Sequence, residues 1–347
     1  MKEVIIRKRL LQGKPFSISS ELEFLPAWWL PEAHSQTLWN ARIRRVPSAD
    51  LLEEIHELPD QDFLEWFWLK ETYEAPAEVP TILILHGLEG CAYSNYVRDL
   101  MPQLGSLGWR VVVMQYRNCG EKPNRLAQSY HAMRWQELDW TVEVLQGRFP
   151  EAPIGVVGFS IGGSILLNWL GQNEARSIVA ACAISVPYKL SPCADRLNQG
   201  FSKIYQQYLM GRLKRSSVRK WALLKDALGL SDLSQINELK TLWEYDDLLT
   251  APLHGFKNVH DYYEKASCRK YLTSIRVPTL LVHALDDPFI VPEVVPQACE
   301  LSDLIQTAFV PVGGHLGFVS GAVPGQEWSW LSQIVPSFFE TSFDDGF

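Results

Sequence analysis

Several features that define large classes of protein are missing from this sequence. Its 347 residues contain no uninterrupted run of about eighteen apolar residues, the length that an ordinary membrane-spanning helix needs. Residues 1–18 include basic side chains but no continuous apolar core and no small-residue cleavage site, so no secretory signal peptide is indicated. Acidic residues also outnumber basic ones, and the formal net charge is −8 at pH 7. This balance argues against nucleic acid as a partner and, on average, disfavours an anionic substrate.

Cysteine and metal-binding patterns are absent as well. The six cysteines are scattered, with no C-x-x-C pair and no histidine cluster beside them, so neither a zinc site nor a disulfide framework is predicted. A reducing compartment, and hence the cytoplasm, is the expected location. No Walker loop and no H-E-x-x-H segment occurs, so a metal- or phosphate-dependent enzyme is a distant alternative.

The residues that are present describe a globular protein with an ample core, since 47% of them are hydrophobic and the mean hydropathy is −0.07. Short apolar runs alternate with helical patterns, which predicts an α/β fold with a mostly parallel, doubly wound sheet covered on both faces. A hairpin over residues 51–70, turning at 59–62, is expected at one edge of this sheet. The parallel strands are predicted at 81–85, 110–115, 154–158, 178–185, 279–284 and 307–311, and the clearest helices at 95–107, 131–146 and 161–172.

The chain divides into four parts on this interpretation. Residues 1–48 form an aromatic and proline-rich arm, expected to pack on the domain surface, with peripheral contact to lipid or substrate as the alternative. Residues 49–188 hold the first part of the α/β core, and residues 271–347 hold the second. Residues 189–270 are charged and largely helical, which predicts an insertion over the carboxyl ends of the strands, where open α/β sheets bind ligands. This insertion is therefore a candidate lid.

The most informative segment is Gly158-Phe159-Ser160-Ile161-Gly162, a G-x-S-x-G motif between a strand pattern and a helix pattern. Turning from strand to helix within a few residues forces the serine into a strained backbone conformation, and the flanking glycines avoid collisions there. The hydroxyl of Ser160 is then expected to stand exposed above the sheet edge as a nucleophile. A tight turn whose serine only caps the helix is the alternative.

A nucleophilic serine needs a histidine base and an acid that orients this base. In proteins with this elbow the acid and then the histidine follow the serine in the chain. His315 is the one histidine beyond the last predicted strand, and it lies in a glycine-rich loop. Asp286 and Asp287 both follow the strand predicted at 279–284. We favour Asp287 as the acid, with Asp286 as the alternative that caps the turn.

The oxyanion of an acyl-transfer intermediate needs backbone donors near the serine. The N–H groups of Leu88, in the loop after the strand at 81–85, and of Ile161 are the predicted pair. His86 is expected to brace this loop rather than to act as the base. Glu89 and Arg117 are expected to be solvated or to pair locally in turns.

Taken together, these segments resemble the α/β-hydrolase superfamily, and more narrowly its YheT-like branch, the bacterial relatives of eukaryotic α/β-hydrolase-domain lipases. The resemblance covers nearly the whole chain and implies hydrolysis of short- or medium-chain carboxylic esters, including monoacylglycerol-like lipids, without a cofactor. Eukaryotic relatives often carry an amino-terminal membrane anchor, which is not expected here. The matching segments are Phe24-Leu25-Pro26, Gln36-Thr37, His86-Gly87-Leu88-Glu89-Gly90, Tyr116-Arg117-Asn118, Gly158-Phe159-Ser160-Ile161-Gly162-Gly163, Ser185-Val186-Pro187, Tyr245-Asp246-Asp247, His254-Gly255-Phe256, Tyr262-Tyr263, Asp286-Asp287-Pro288-Phe289 and Gly313-Gly314-His315.

The sequence therefore predicts a serine esterase with a Ser160, His315 and Asp287 triad that acts on a small-molecule ester or lipid. An acyltransferase that uses the same acyl-enzyme is one alternative. A hydrolase-like binding protein with little turnover is another. Neither the natural substrate nor the oligomeric state follows from the sequence.

Overall fold

An eight-stranded sheet runs through the computed structural model, which describes residues 22–173 and 177–344. Its strands are β1 (Leu51–Glu57), β2 (Phe63–Leu69), β3 (Thr81–Leu85), β4 (Arg110–Gln115), β5 (Ile154–Phe159), β6 (Ala180–Ile184), β7 (Thr279–Ala284) and β8 (Ile305–Val310). They lie in the order β1-β2-β4-β3-β5-β6-β7-β8. β1 and β2 form an antiparallel hairpin at one edge, β2 pairs antiparallel with β4, and all other pairs are parallel. The predicted fold class and edge hairpin are confirmed.

Helices cover both faces of the sheet. They are α1 (Ala33–Leu38), α2 (Lys70–Tyr73), α3 (Asn95–Ser106), α4 (Gln136–Arg148), α5 (Ile161–Gln172), α6 (Leu190–Leu197), α7 (Ser202–Arg219), α8 (Trp221–Leu228), α9 (Ser234–Asn237), α10 (Leu242–Tyr245), α11 (Ala251–Leu253), α12 (Val259–Ala266) and α13 (Leu331–Asp344). Short 3₁₀ turns occur at Cys268–Ser274, Pro292–Val294 and Ala298–Glu300, π-helical turns at Trp39–Ile43 and Asp246–Thr250, and a two-stranded ribbon at Val319–Ser320 and Trp328–Ser329. No helix in the described ranges is both long and apolar enough to cross a lipid bilayer.

The continuous apolar strands are explained by burial on both faces. Successive residues of a strand point to opposite sides, so each central strand supplies side chains to two cores. In β3, Leu83 and Leu85 pack with α4 and α5, whereas Ile82 and Ile84 pack with α3 and α13. Packing on both faces of the sheet therefore fixes the positions of the carboxyl ends of the strands.

The six predicted parallel strands are all present, with ends that differ by at most two residues. The helix predicted at 131–146 begins later, at Gln136. The reason lies in the backbone of Ala132, whose N–H donates to Tyr262 Oη at 3.1 Å and whose carbonyl accepts from Asn168 Nδ2 at 3.0 Å. Because distant side chains satisfy these backbone groups, the segment makes no helical turn there.

The helices α6 to α12 all lie between β6 and β7 in the chain. Leu224, Leu230, Ile236 and Leu249 form a small apolar cluster made entirely within this segment. A second cluster joins the segment to the loop before α4 through Ala132. The long helix α7 contributes side chains to the cavity described below.

The described part of the arm, from Leu22 onward, packs against the carboxyl-terminal part of the chain. Phe24 contacts Phe318 and Trp330 with ring centroids at 5.9 and 5.2 Å. The ring of Trp28 is 76% exposed, although its Nε1 donates to the carbonyl of Ala322 at 2.8 Å. The remainder of the predicted arm, residues 1–21, lies outside the described residues.

Candidate active site

Ser160 stands at the sharp turn between β5 and α5. Its backbone has φ 53° and ψ −117°, a left-handed conformation that costs a residue with a side chain about 1–3 kcal/mol. Gly162 makes the turn possible, since a Cβ there would lie 2.6 Å from the carbonyl oxygens of His86 and Leu85. The predicted elbow conformation is thus present, and the close approach of backbone explains why glycine is needed.

A chain of hydrogen bonds connects this serine to a histidine and an aspartate. His315 Nε2 lies 3.1 Å from Ser160 Oγ, and His315 Nδ1 lies 2.8 Å from Asp287 Oδ2. The Asp287 carboxylate is buried, and its Oδ1 accepts the N–H of Phe289 at 2.8 Å. Because an ionised carboxylate only accepts hydrogen bonds, Nδ1 carries the proton and Nε2 is free to accept from the serine hydroxyl.

Asp286 points elsewhere, although it is adjacent in the sequence. Its Oδ1 accepts the N–H of Gly314 at 2.9 Å, immediately before the histidine. Burial is the main cause that raises the pKa of Asp286, and this backbone bond acts in the opposite direction. The side chain therefore stabilises the loop that carries His315, and the imidazole hydrogen-bonds to Asp287 in its place.

The arm also holds this loop, which the sequence interpretation did not foresee. The N–H of His315 donates to Thr37 Oγ1 at 2.9 Å, and Asn40 Nδ2 donates to the carbonyl of Leu316 at 2.6 Å. Gly314 has φ 62°, and a Cβ there would lie 2.4 Å from the carbonyl oxygen of Ala33. The helix α1 thus contacts the histidine loop at backbone distance. The pair Gln36-Thr37 in the sequence marked this segment without showing its role.

The loop after β3 lies against the serine and leaves one backbone donor without a partner. Gly87 N–H donates to Tyr96 Oη at 2.8 Å, and Glu89 N–H donates to Tyr130 Oη at 2.6 Å. Among the described residues, no acceptor is found for the N–H of Leu88 between them. Ile161 is the first residue of α5, where N–H groups have no acceptor within the helix. Neither predicted donor therefore has an acceptor among the residues that the structure describes.

Comparison with known proteins adds to this geometry. A family model described as the alpha/beta hydrolase fold matches residues 80–322. The chain belongs to the α/β-hydrolase family. It is 34% identical to "Putative esterase YheT" of Escherichia coli (strain K12) over 93% of this chain and 94% of that protein, which confirms the YheT-like assignment.

More distant relatives in the α/β-hydrolase family cover most of the chain as well. "Phospholipase ABHD3" of Mus musculus is 27% identical over 93% of this chain and 79% of its own length. "Monoacylglycerol lipase ABHD2" of Danio rerio is 27% identical over 90% of this chain and 78% of its own length. The solved esterase Pf2001 of Pyrococcus furiosus superposes with a TM-score of 0.53 at 17% identity, covering 86% of this chain and 90% of that chain. This last similarity concerns the fold alone.

Ser160 and His315 open into a cavity of about 480 Å³. Its wall includes the loop after β3, the π-helical turn that follows α1, the segment between β4 and α4, and the helical segment between β6 and β7. Phe289 closes one side by stacking on the imidazole, with ring centroids 4.0 Å apart and 16° between the planes. Within the described residues, no group of three His, Cys, Asp or Glu side chains could hold a metal ion.

His86 occupies the bracing position predicted for it. Its ring is buried, with Nδ1 2.8 Å from the carbonyl oxygen of Gly87 and Nε2 accepting the N–H of Tyr116 at 3.3 Å. Burial lowers the pKa of His86 to about 4, so the ring is neutral at pH 7. A neutral ring that is fully engaged with backbone supports the loop before Leu88.

The expectation for Glu89 and Arg117 was wrong, because both are buried. Arg117 forms ion pairs with Asp62 at 3.0 Å and Glu137 at 2.5 Å, two partners from other parts of the chain. Glu89 accepts from Ser216 Oγ of α7 at 2.5 Å, and burial raises its pKa. Tertiary packing supplies these partners, and no local pattern in the sequence signals them.

Proposed function

We propose that this α/β hydrolase is a serine esterase that cleaves carboxylic esters through an acyl-enzyme. The observation that carries the proposal is the hydrogen-bonded chain from Ser160, on the strained elbow, through His315 to Asp287, at the wall of a cavity. A cavity of about 480 Å³ falls within the range of about 300–1,000 Å³ typical of small-molecule sites. Relatives named as an esterase, a phospholipase and a monoacylglycerol lipase support the choice of ester chemistry.

The positions of the atoms support the following reaction. His315 Nε2 takes the proton of Ser160 Oγ while this oxygen attacks the ester carbonyl carbon. The carbonyl oxygen gains negative charge and accepts from the N–H groups of Leu88 and Ile161. His315 then gives the proton to the leaving alcohol, and the acyl group remains on Ser160. Asp287 keeps Nδ1 protonated and stabilises the imidazolium at each stage.

Water completes the cycle by the same steps. His315 takes a proton from a water molecule, which attacks the acyl carbon; the bond to Ser160 Oγ then breaks, His315 returns the proton to this oxygen, and the carboxylic acid leaves. We propose that residues 189–270 act as the lid over this site, with the core in residues 49–188 and 271–347 and the arm in residues 1–48. The favoured substrates are short- to medium-chain acyl esters or monoacylglycerol-like lipids. The cytoplasmic location stays a prediction from composition.

The decisive test uses p-nitrophenyl esters of graded acyl length with the purified protein. We expect nitrophenolate release that Ser160→Ala abolishes and that declines once the acyl chain exceeds the cavity. Ser106→Ala is the matched control, because this exposed serine at the end of α3 donates its hydroxyl hydrogen bond to the carbonyl of Gln103, within its own helix. Equal release by the native protein and Ser160→Ala would contradict the proposal.

Two further readouts separate the alternatives. A fluorophosphonate should label the native protein and Ser106→Ala but leave Ser160→Ala unlabelled. Failure to label folded native protein would favour a binding role. Product analysis with added alcohols or thiols detects acyl transfer, since transfer yields a new ester or thioester in place of the free acid.

A further inference from the structure

Two arginines line the same cavity as the candidate catalytic residues. Arg42 belongs to the π-helical turn Trp39–Ile43, and Arg212 belongs to α7, so the arm and the helical insertion each contribute one guanidinium group. Both surround the ring of Tyr208, which is 40% exposed. We call Arg42, Tyr208 and Arg212 the arginine rim.

Both guanidinium groups contact the aromatic ring of Tyr208. Arg42 Cζ lies 4.2 Å from the centroid of the Tyr208 ring, and Arg212 Cζ lies 5.8 Å from it. Arg212 Nη1 also donates to Tyr208 Oη at 3.0 Å. Contacts of this kind orient a guanidinium group and leave its remaining N–H donors available.

Neither guanidinium group has a carboxylate partner among residues 22–173 and 177–344. Two carboxyl groups do line the cavity, but hydroxyl groups already occupy them: Ser216 donates to Glu89, and Thr250 donates to Asp246. The charge of Glu89 acts on Arg212, but the two side chains form no ion pair. In a protein of net charge −8, two cations without an ion-pair partner at one cavity are an arrangement that favours an anionic ligand.

We propose that the arginine rim is an anion subsite, which binds a phosphate or carboxylate group carried by the ester substrate. This inference rests on the proposed function for its chemistry, since the rim and Ser160 belong to one cavity. Arg212 and Arg42 would each donate to the anionic oxygens, as planar guanidinium groups do in phosphate and carboxylate sites. The average expectation against an anionic substrate, drawn from net charge, is reversed at this one place.

The first experiment measures binding without catalysis. The Ser160→Ala protein is titrated by calorimetry with hexyl phosphate, heptanoate and 1-hexanol, which share a short alkyl chain and differ in charge. We expect hexyl phosphate or heptanoate to bind at least about tenfold more tightly than 1-hexanol, because charge-assisted hydrogen bonds contribute about 1.5–3 kcal/mol each. The stronger of the two anions identifies the group, and rising salt should weaken it.

Matched substitutions assign the effect to the rim. Arg42→Gln and Arg212→Gln should each weaken the preferred anion about tenfold. Arg45→Gln and Arg215→Gln should leave its affinity unchanged, because these exposed arginines lie outside the cavity. Equal affinity for 1-hexanol and both anions would overturn the proposal. A loss of anion affinity in Arg212→Gln but not in Arg42→Gln would also overturn it, because Arg212 would then act only by balancing the charge of Glu89.

A second experiment links the rim to turnover. Hexanoylglycerol and hexanoylglycerol phosphate carry the same acyl chain, and we expect the ratio of kcat/KM to favour the phosphate ester and to fall in both rim variants. Hydrolysis of the neutral ester without any preference for charge would refute the rim and leave the esterase intact. Absence of hydrolysis beyond the Ser160→Ala background would refute the esterase, while the binding titrations still decide the rim.

Discussion

The pair Asp287→Asn and Asp286→Asn tests the site most sharply, because two adjacent carboxylates have different partners. Asp287 Oδ1 accepts the N–H of Phe289, and its Oδ2 accepts the Nδ1–H of His315, both at 2.8 Å. An asparagine at this position must keep its amide oxygen on the N–H of Phe289, since the opposite orientation would place two donors together. The amide NH₂ group then faces His315 Nδ1 and forces it to accept.

The consequence is the wrong tautomer of His315. Its proton moves to Nε2, which then cannot take the proton of Ser160. The same exchange in a serine protease triad costs about 10⁴-fold in kcat, or about 5 kcal/mol, and we expect a loss of this order for Asp287→Asn. In Asp286→Asn the amide oxygen can still accept the N–H of Gly314, so the loss should stay below about tenfold.

The assay is hydrolysis of p-nitrophenyl butyrate by both variants, with thermal unfolding as a check that each one folds. Near-isosteric substitutions leave the packing unchanged, so the difference in kcat reports the position of the proton. If Asp286→Asn loses more activity than Asp287→Asn, the assignment of Asp287 as the acid is refuted. Retention of a tenth of the native rate by Asp287→Asn would refute the tautomer argument.

Three further outcomes concern stability. Gly162→Ala should lower the free energy of unfolding by about 1–3 kcal/mol in urea, because its Cβ would meet two carbonyl oxygens at 2.6 Å, whereas Gly211→Ala, with open space around it, should be neutral or slightly stabilising. Arg117→Ala should cost about 1.5–3 kcal/mol, because Asp62 and Glu137 lose a buried cation while Asp62 keeps Asn124 and Glu137 keeps Arg134, whereas Arg125→Ala at an exposed ion pair should change stability little; similar losses in both would contradict the burial argument. Burial raises the pKa of Asp246 from 3.8 to about 6, so between these pH values the folded protein binds more protons than the unfolded chain and stability falls as pH rises. The free energy of unfolding of Asp246→Asn minus that of the native protein should therefore grow from pH 4 to pH 7 in urea titrations. A constant difference would contradict the raised pKa of Asp246.

Local patterns were enough to predict the elbow and the strand order along the chain, and to select His315 as the candidate base. The motif around Ser160 is short, and the glycine spacing that permits its conformation lies within five residues. Apolar strands that alternate with helices predict the parallel sheet, because a strand buried on both faces must be apolar throughout. These inferences need no knowledge of distant contacts.

The sequence favoured Asp287 as the acid but left Asp286 open as the alternative, since both follow β7. Adjacent side chains in a turn point in different directions, and only the folded loop shows which carboxylate meets the imidazole. The prediction for Arg117 was wrong for a related reason. Its partners, Asp62 and Glu137, come from separate parts of the chain, and a charged residue reads as solvated until the packing around it is known.

By itself, then, the sequence determined the fold class and pointed to the candidate nucleophile and the candidate base, because spacing and periodicity act over a few residues along the backbone. Tertiary structure alone decided what holds and surrounds them. Thr37 supports His315 across 278 residues, and Glu89 meets Ser216 across 127. The two cations of the arginine rim also come together only through folding. Contacts between residues so far apart in the chain depend on how helices and loops pack against the sheet. Hydrophobic periodicity describes neighbouring residues and does not show which distant side chains meet.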